Sequence, residues 1–190
     1  MWFSKTAASL GGAAVILTAV LVVAQTPKKS DVPTSNNPVK GPSQMDQKFM
    51  QQAAIGDAAE IQLGQMAQEK ASNPKVKQFG ERMVNDHSKA DDQLKGIAQS
   101  QHVGLPTELD AQHQAMKSEL SKKTGAQFDK AYMLMMVQEH TKTINKFKQE
   151  AQTTHDPTLK QFAQSTLPIL ESHLSEAKQV SGEVNRPGGH

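Results

Sequence analysis

The chain has 190 residues, contains no cysteine and carries a formal net charge of +2. This length suits one ordinary domain with extensions, and the lack of cysteine excludes disulfides, thiolate zinc sites, iron–sulfur clusters and covalently attached haem. Because the charge is small and no Lys/Arg stripe is interleaved with aromatic residues, a nucleic-acid partner is not expected.

Residues 1–24 have the pattern of a secretory signal peptide. Lys5 supplies positive charge before an apolar run from 7 to 23, and the small residues at its end favour cleavage there. An uncleaved N-terminal membrane anchor is the alternative, because about 18 apolar residues is close to the length that spans a bilayer. Both interpretations predict an exported protein that is periplasmic or membrane-associated. Residues 25–44, rich in Pro, Lys, Ser and Asn, are predicted to form a disordered linker.

Hydrophobic periodicity predicts four long amphipathic helices within residues 45–181. Asn73-Pro74 and Asp156-Pro157 each place a capping side chain before a proline, which is a signal for a helix start. The Gly-Leu-Pro segment at 104–106 ends the second helix, and a short helix is predicted in the crossover that follows. The last residues, 182–190, are predicted to be a flexible tail. The predicted helices span 46–71, 74–101, 107–122, 126–152 and 157–180.

Two short turns and one long crossover connect these helices. This connectivity predicts an all-α fold, namely an antiparallel, ferritin-like four-helix bundle of two helical hairpins joined by a long crossover with a short extra helix. An internal repeat supports it, because the segment 73–79 that opens the second helix resembles the segment 156–162 that opens the last one. Each hairpin is therefore interpreted as a copy of the other.

Three of the seven histidines, His87, His140 and His173, fall on the apolar stripes of the predicted helices. Glu60 also lies on such a stripe, where a carboxylate is rare unless it is paired or bound to a ligand. Counted from the nearest turn at about 1.5 Å per residue, Glu60, His87 and His140 lie at similar heights in the bundle. His173 is predicted about one helical turn further along.

A pattern repeated on two helices adds further candidate ligands. Met83 and His87 are four residues apart and share one helix face, and so do Met136 and His140. A thioether with an imidazole suits copper, whereas a carboxylate with an imidazole suits iron, manganese or zinc. The predicted ligands of a transition metal ion are Glu60, Met83, Asp86, His87, Met136, Glu139, His140 and His173.

The alternative interpretation of these residues is a buried polar network that only fixes the register of the helices. The Glu-x-x-His motifs of a carboxylate-bridged di-iron site do not occur in the chain. A di-iron oxidase is therefore not expected, and no catalytic residue is predicted.

Several motifs occur together in this chain: Phe49 to Glu60, Met-Val-x-Asp-His at 83–87, Phe128-Asp129 with Tyr132, Met136 to His140, and Leu167-Pro168 with His173. Over about residues 45–180 they resemble the exported bacterial family called domain of unknown function 4142. The resemblance implies a ferritin-like four-helix bundle that is periplasmic or membrane-associated, with no established activity. The polar core that it implies consists of Glu60, His87, His140 and His173.

The sequence thus predicts a non-enzymatic envelope protein that holds a transition metal ion in its bundle and acts in metal handling or stress tolerance. The ion is copper, iron, manganese or zinc. The alternative function is a structural or interaction module of the envelope. Membrane association is predicted through the N-terminal segment only, and no protein partner is identified.

Overall fold

A computed structural model describes residues 41–186, and in this range the chain is all-helical. The helices are α1 (Gln44–Lys70), α2 (Pro74–Ser100), α3 (Ala111–Ser121), α4 (Gly125–Thr153) and α5 (Pro157–Val184). The four long helices form an antiparallel bundle of two hairpins, α1–α2 and α4–α5, with the short α3 in the crossover. The predicted fold class is confirmed. The predicted signal segment and residues 25–40 of the predicted linker lie outside the described residues.

Polar side chains start the helices where the sequence pattern indicates. Asn73 and Asp156 cap α2 and α5 by accepting hydrogen bonds from backbone amides, and a proline follows each of them. Ser43 caps α1 in a capping box with Asp46, so α1 begins at Gln44, inside the segment predicted as linker.

Two other boundaries differ from the predicted ones. The short helix α3 begins at Ala111 rather than near residue 107, because the Asp110 side chain caps it. The last helix continues to Val184, into the segment predicted as a flexible tail. Val184 continues the buried apolar stripe of Ala177 and Val180, and this burial favours the extra turn.

The two helices of the first hairpin approach each other closely at Gly64 and Gly80. A Cβ atom added to Gly64 would lie 2.6 Å from the Gly80 carbonyl oxygen, and one added to Gly80 would lie 2.8 Å from the Gly64 carbonyl oxygen. Glycine is therefore required at both positions for this backbone contact.

The bundle core consists of two apolar clusters with a polar layer between them. Residues such as Met83, Met136 and Ala177 belong to one cluster, and residues such as Leu94 and Ile144 belong to the other. On each of α2, α4 and α5 a buried histidine lies in sequence between these two groups. None of the described helices has an apolar stretch long enough to cross a membrane.

Candidate metal centre

Three histidines meet in the middle of the bundle. His87 comes from α2, His140 from α4 and His173 from α5, and one ring nitrogen of each lies within 4.8 Å of the others. Their exposed fractions are 5%, 1% and 0%. The sequence places His173 about one turn too far along its helix, but the structure brings it into the group.

Each imidazole is held from its outer side by one hydrogen-bond partner. His140 Nδ1–H donates to the Met136 carbonyl oxygen at 2.9 Å, within the same helix. His87 Nδ1 lies 2.7 Å from Asp57 Oδ1, and His173 Nε2 lies 3.0 Å from Asp86 Oδ2. Such outer partners fix the ring orientation and determine which nitrogen carries the proton. The second nitrogen of each ring therefore faces the cluster.

The protonation of His140 and His173 has a direct consequence for the cluster. Burial lowers the pKa of His140 to about 3 and that of His173 to about 4, so both rings are neutral at neutral pH. His140 donates its single N–H proton to the Met136 carbonyl oxygen, and His173 donates its single N–H proton to the Asp86 carboxylate. His140 Nε2 and His173 Nδ1, which are 3.3 Å apart, consequently both carry lone pairs.

Two lone pairs at this distance repel each other unless a cation is shared between them. In a tetrahedral site with metal–nitrogen distances of about 2.0–2.1 Å, two ligand nitrogens lie about 3.3–3.4 Å apart. The observed separation therefore matches that of two imidazoles on one metal ion.

His87 differs in its electrostatic environment from the other two histidines. Burial lowers its pKa, but the hydrogen bond and the charge of Asp57 outweigh this effect, so that the net pKa is raised. His87 Nε2 is buried and has no hydrogen-bond partner among the described residues. Asp57 was not predicted from the sequence, although it lies three residues before Glu60 and thus on the same helix face.

Glu60 lies beside the three-histidine cluster rather than within it. Its Oε1 is 3.9 Å from His140 Nδ1, the nitrogen that faces away from the cluster, and its Oε2 has no partner among the described residues. Burial, with a smaller contribution from the charge of Glu139, raises the pKa of Glu60 to about 7 despite the opposing effect of His87. Glu60 is therefore a buried acid next to the candidate centre.

Asp86 supports His173 from the outside of the bundle. It also accepts a hydrogen bond from Arg82 Nε at 3.4 Å, and Arg82 in turn contacts Glu176 and donates to Ser172 Oγ at 3.0 Å. Burial raises the pKa of Asp86, but its bonds to His173 and Arg82 outweigh this effect and keep the carboxyl group ionised. Asp86 thus orients a ring of the cluster and does not point into it as a ligand.

The remaining predicted ligands lie outside the three-histidine group. Met83 and Met136 are fully buried in the apolar cluster next to the polar layer, and Met136 contributes its carbonyl oxygen to His140. The Glu139 side chain is half-buried and forms an ion pair with Lys142 at 2.7 Å.

A cavity of about 310 Å³ leads from the surface to one side of the cluster. Phe49, Phe147 and Leu170 contribute apolar walls, whereas Asp57, Glu60, His87 and His140 form a buried polar end. The crossover residues Asp110 and His113, with Lys142 and Lys146 of α4, surround the outer part. His173 does not line this cavity, so the cluster is approached from the side of His87 and His140.

The described residues thus form an antiparallel helical bundle with a polar centre of three histidines. The chain belongs to the family described as Domain of unknown function (DUF4142), whose model matches residues 31–180. No protein of curated function is significantly similar to the chain.

Solved structures with the same fold include two related helical bundles. A DUF305 fragment from Deinococcus radiodurans has a TM-score of 0.68 at 12% identity, over 75% of this chain and 99% of that one. CopM in its Cu(II)-bound form has a TM-score of 0.63 at 17% identity, over 72% and 95% of the two chains. CopM in an Ag-bound form has a TM-score of 0.57 at 19% identity, over 70% and 93%. At these identities the likeness shows the fold.

Proposed function

We propose that this protein binds a transition metal ion at His87, His140 and His173 and acts in metal handling or stress tolerance in the cell envelope. The observation that carries the proposal is the pair of lone-pair-bearing nitrogens of His140 and His173 at 3.3 Å, next to the unpartnered His87 Nε2. Neutral imidazoles oriented by outer hydrogen bonds are the usual donors of protein metal sites.

Copper is the ion that we propose first. Three imidazole nitrogens suit copper and zinc, and they also suit iron, whereas manganese prefers oxygen ligands. CopM, which shares the fold, has been crystallised with Cu(II) and with Ag. Export to the envelope is supported by the signal-like pattern of residues 1–24.

The test is equilibrium dialysis of the full chain, purified without a histidine tag, against copper, zinc, iron or manganese, followed by elemental mass spectrometry. The parent is expected to retain one of these metals stoichiometrically, and His140→Ala is expected to lose it. His155→Ala is the matched control, because His155 is exposed in the loop between α4 and α5. Equal metal retention by parent and His140→Ala would contradict the proposal.

A second candidate function is a structural or interaction module whose polar layer only fixes the helix register. It is favoured by the fact that every histidine of the cluster already has an outer hydrogen-bond partner. It predicts that no metal is retained and that His87→Ala lowers the free energy of unfolding by about 1–3 kcal/mol, because Asp57 would be left unpaired. Metal retention in the dialysis experiment distinguishes the two functions, and unchanged stability of His87→Ala on chemical denaturation would contradict the structural one.

A further inference from the structure

The cavity beside the histidine cluster connects two of the buried histidines to solvent, which a purely structural core does not require. It reaches two of the three histidines, and its volume of about 310 Å³ is that of several water molecules at about 30 Å³ each. A partly hydrated metal ion therefore fits within it. A metal site in a bundle core requires such a path from solvent.

Two buried carboxyl groups, Asp57 and Glu60, form the polar end of this cavity. Their exposed fractions are 6% and 7%. Asp57 Oδ2 and Glu60 Oε2 are both buried without a hydrogen-bond partner among the described residues. Unpaired buried acceptors of this kind are unfavourable on their own and become favourable when a cation or donor binds.

Carboxyl groups outnumber lysines along the cavity. Asp57, Glu60, Asp110 and Glu139 line it, against Lys142 and Lys146. Three of these carboxyl groups already have a basic partner, which is His87 for Asp57, His113 for Asp110 and Lys142 for Glu139. Among the described residues Glu60 has no such partner within hydrogen-bond distance, and a cation beside it favours its ionised form, so that cation binding there releases a proton.

We propose that this cavity is the route by which the metal ion reaches the three histidines, with the Glu60 and Asp57 carboxyl groups as its first binding position. This inference rests on the proposed metal-binding function, and it adds a transient site for a hydrated cation between solvent and the final ligands. It also assigns a role to Glu60, which lies on the outer side of His140 and faces the cavity instead of the cluster.

Gly56 allows the route to be closed without changing any polar group. It lines the cavity, and a Cβ atom added to it would meet nothing within 4 Å. Leucine also has a better helix propensity than glycine, so Gly56→Leu is expected to fold. Gly96→Leu is the matched control, because Gly96 lies exposed on α2 with similarly open space around it.

The experiment is stopped-flow absorbance of the full chain with Cu(II) as the probe, together with Kd from equilibrium dialysis. Gly56→Leu is expected to slow uptake and release by on the order of tenfold at unchanged Kd, because the ion must wait for the side chain to move. Gly96→Leu is expected to match the parent. Uptake by Gly56→Leu at the parental rate and Kd would overturn the proposed route.

Charge variants test the first binding position. Glu60→Gln is expected to slow uptake by about tenfold, and Lys146→Glu is expected to accelerate it severalfold at low salt only. Parental uptake rates in both variants would overturn the role of the carboxyl groups. If the parent retains none of copper, zinc, iron and manganese on dialysis, the proposed function fails and this inference fails with it, whereas normal binding with unchanged kinetics overturns this inference alone.

Discussion

One buried carboxyl pair lies away from the histidine cluster, at the end of the bundle where α1 begins. Glu150 of α4 is 4% exposed and lies near Asp46 of α1. Burial, together with the neighbouring Asp46 carboxyl group, raises the pKa of Glu150 to about 7. The carboxyl group of Glu150 is therefore protonated in the folded protein well above its usual range.

This pair predicts a pH-dependent contribution to stability. Between the ordinary glutamate pKa of 4.5 and about 7 the folded state holds a proton that the unfolded state has lost, so the free energy of unfolding falls as pH rises through this window. Glu150→Gln places a neutral amide beside Asp46 and removes the titration. It is expected to melt at a higher temperature than the parent at pH 8 and at a similar temperature at pH 4.5.

Thermal unfolding at the two pH values measures this effect, with the exposed Glu69→Gln as the control. Glu60, whose pKa is also raised to about 7, titrates in parent and variant alike, so it does not contribute to the difference between them. An identical melting difference between Glu150→Gln and the parent at both pH values would contradict the prediction.

At the residue scale, the sequence predicts the histidines of the cluster better than their partners. A polar residue on an apolar stripe is visible in periodicity, so His87, His140 and His173 could be recognised. The hydrogen bond from His87 Nδ1–H to Asp57 Oδ1 joins two helices. The pairing of such side chains depends on rotamers and helix rotation, which periodicity does not specify. For the same reason the sequence places Glu60 on the same stripe as the histidines but does not show that its side chain faces the cavity.

At the scale of the helices, the close contact between α1 and α2 depends on two glycines. A Cβ atom at position 80 would lie 2.7 Å from the Ala67 Cβ and 2.8 Å from the Gly64 carbonyl oxygen. Backbone atoms cannot move aside as a flexible side chain does, so any substitution here separates the two helices.

Gly80→Ala is therefore expected to lower the free energy of unfolding by about 1–3 kcal/mol through overpacking. Gly96→Ala on the same helix is expected to raise it by up to about 1 kcal/mol, because that position is open and alanine favours the helix. Urea denaturation of the two variants measures both effects. Similar stability of the two would show that the close contact does not constrain the hairpin.

Helix starts were predictable from sequence because local chemistry determines them. The side chains of Asn73 and Asp156 bond to amides two and three residues ahead, which requires no knowledge of the rest of the fold. The predicted end of α5 near residue 180 was wrong, because the last segment contains a glycine at 182 and has the composition of a loop. The helix nevertheless continues to Val184, whose side chain is buried against the rest of the bundle. Capping residues in the sequence thus specify where these helices start, whereas tertiary packing determines where α5 ends.

At the scale of the whole molecule, the histidine cluster joins the two hairpins. His87 belongs to the α1–α2 hairpin, and His140 and His173 belong to the α4–α5 hairpin. Each long helix packs mainly on the partner within its own hairpin. The all-α bundle could be predicted from the turn positions and the length of the crossover. The relative height of the two hairpins, which brings His87 level with His140 and His173, is instead set by side-chain packing between the hairpins.

Metal binding at this cluster is consequently expected to stabilise the entire bundle, since the three nitrogens converge only in the folded state. A ligand that binds only the folded chain adds about 2.7 kcal/mol at a free concentration one hundred times its Kd. Thermal melts of the full chain should therefore shift upwards with Cu(II) and return on adding a chelator. His87→Ala removes the ligand of the first hairpin and should abolish the shift, whereas His155→Ala should retain it. An equal shift in His87→Ala would mean that the ion does not connect the two hairpins.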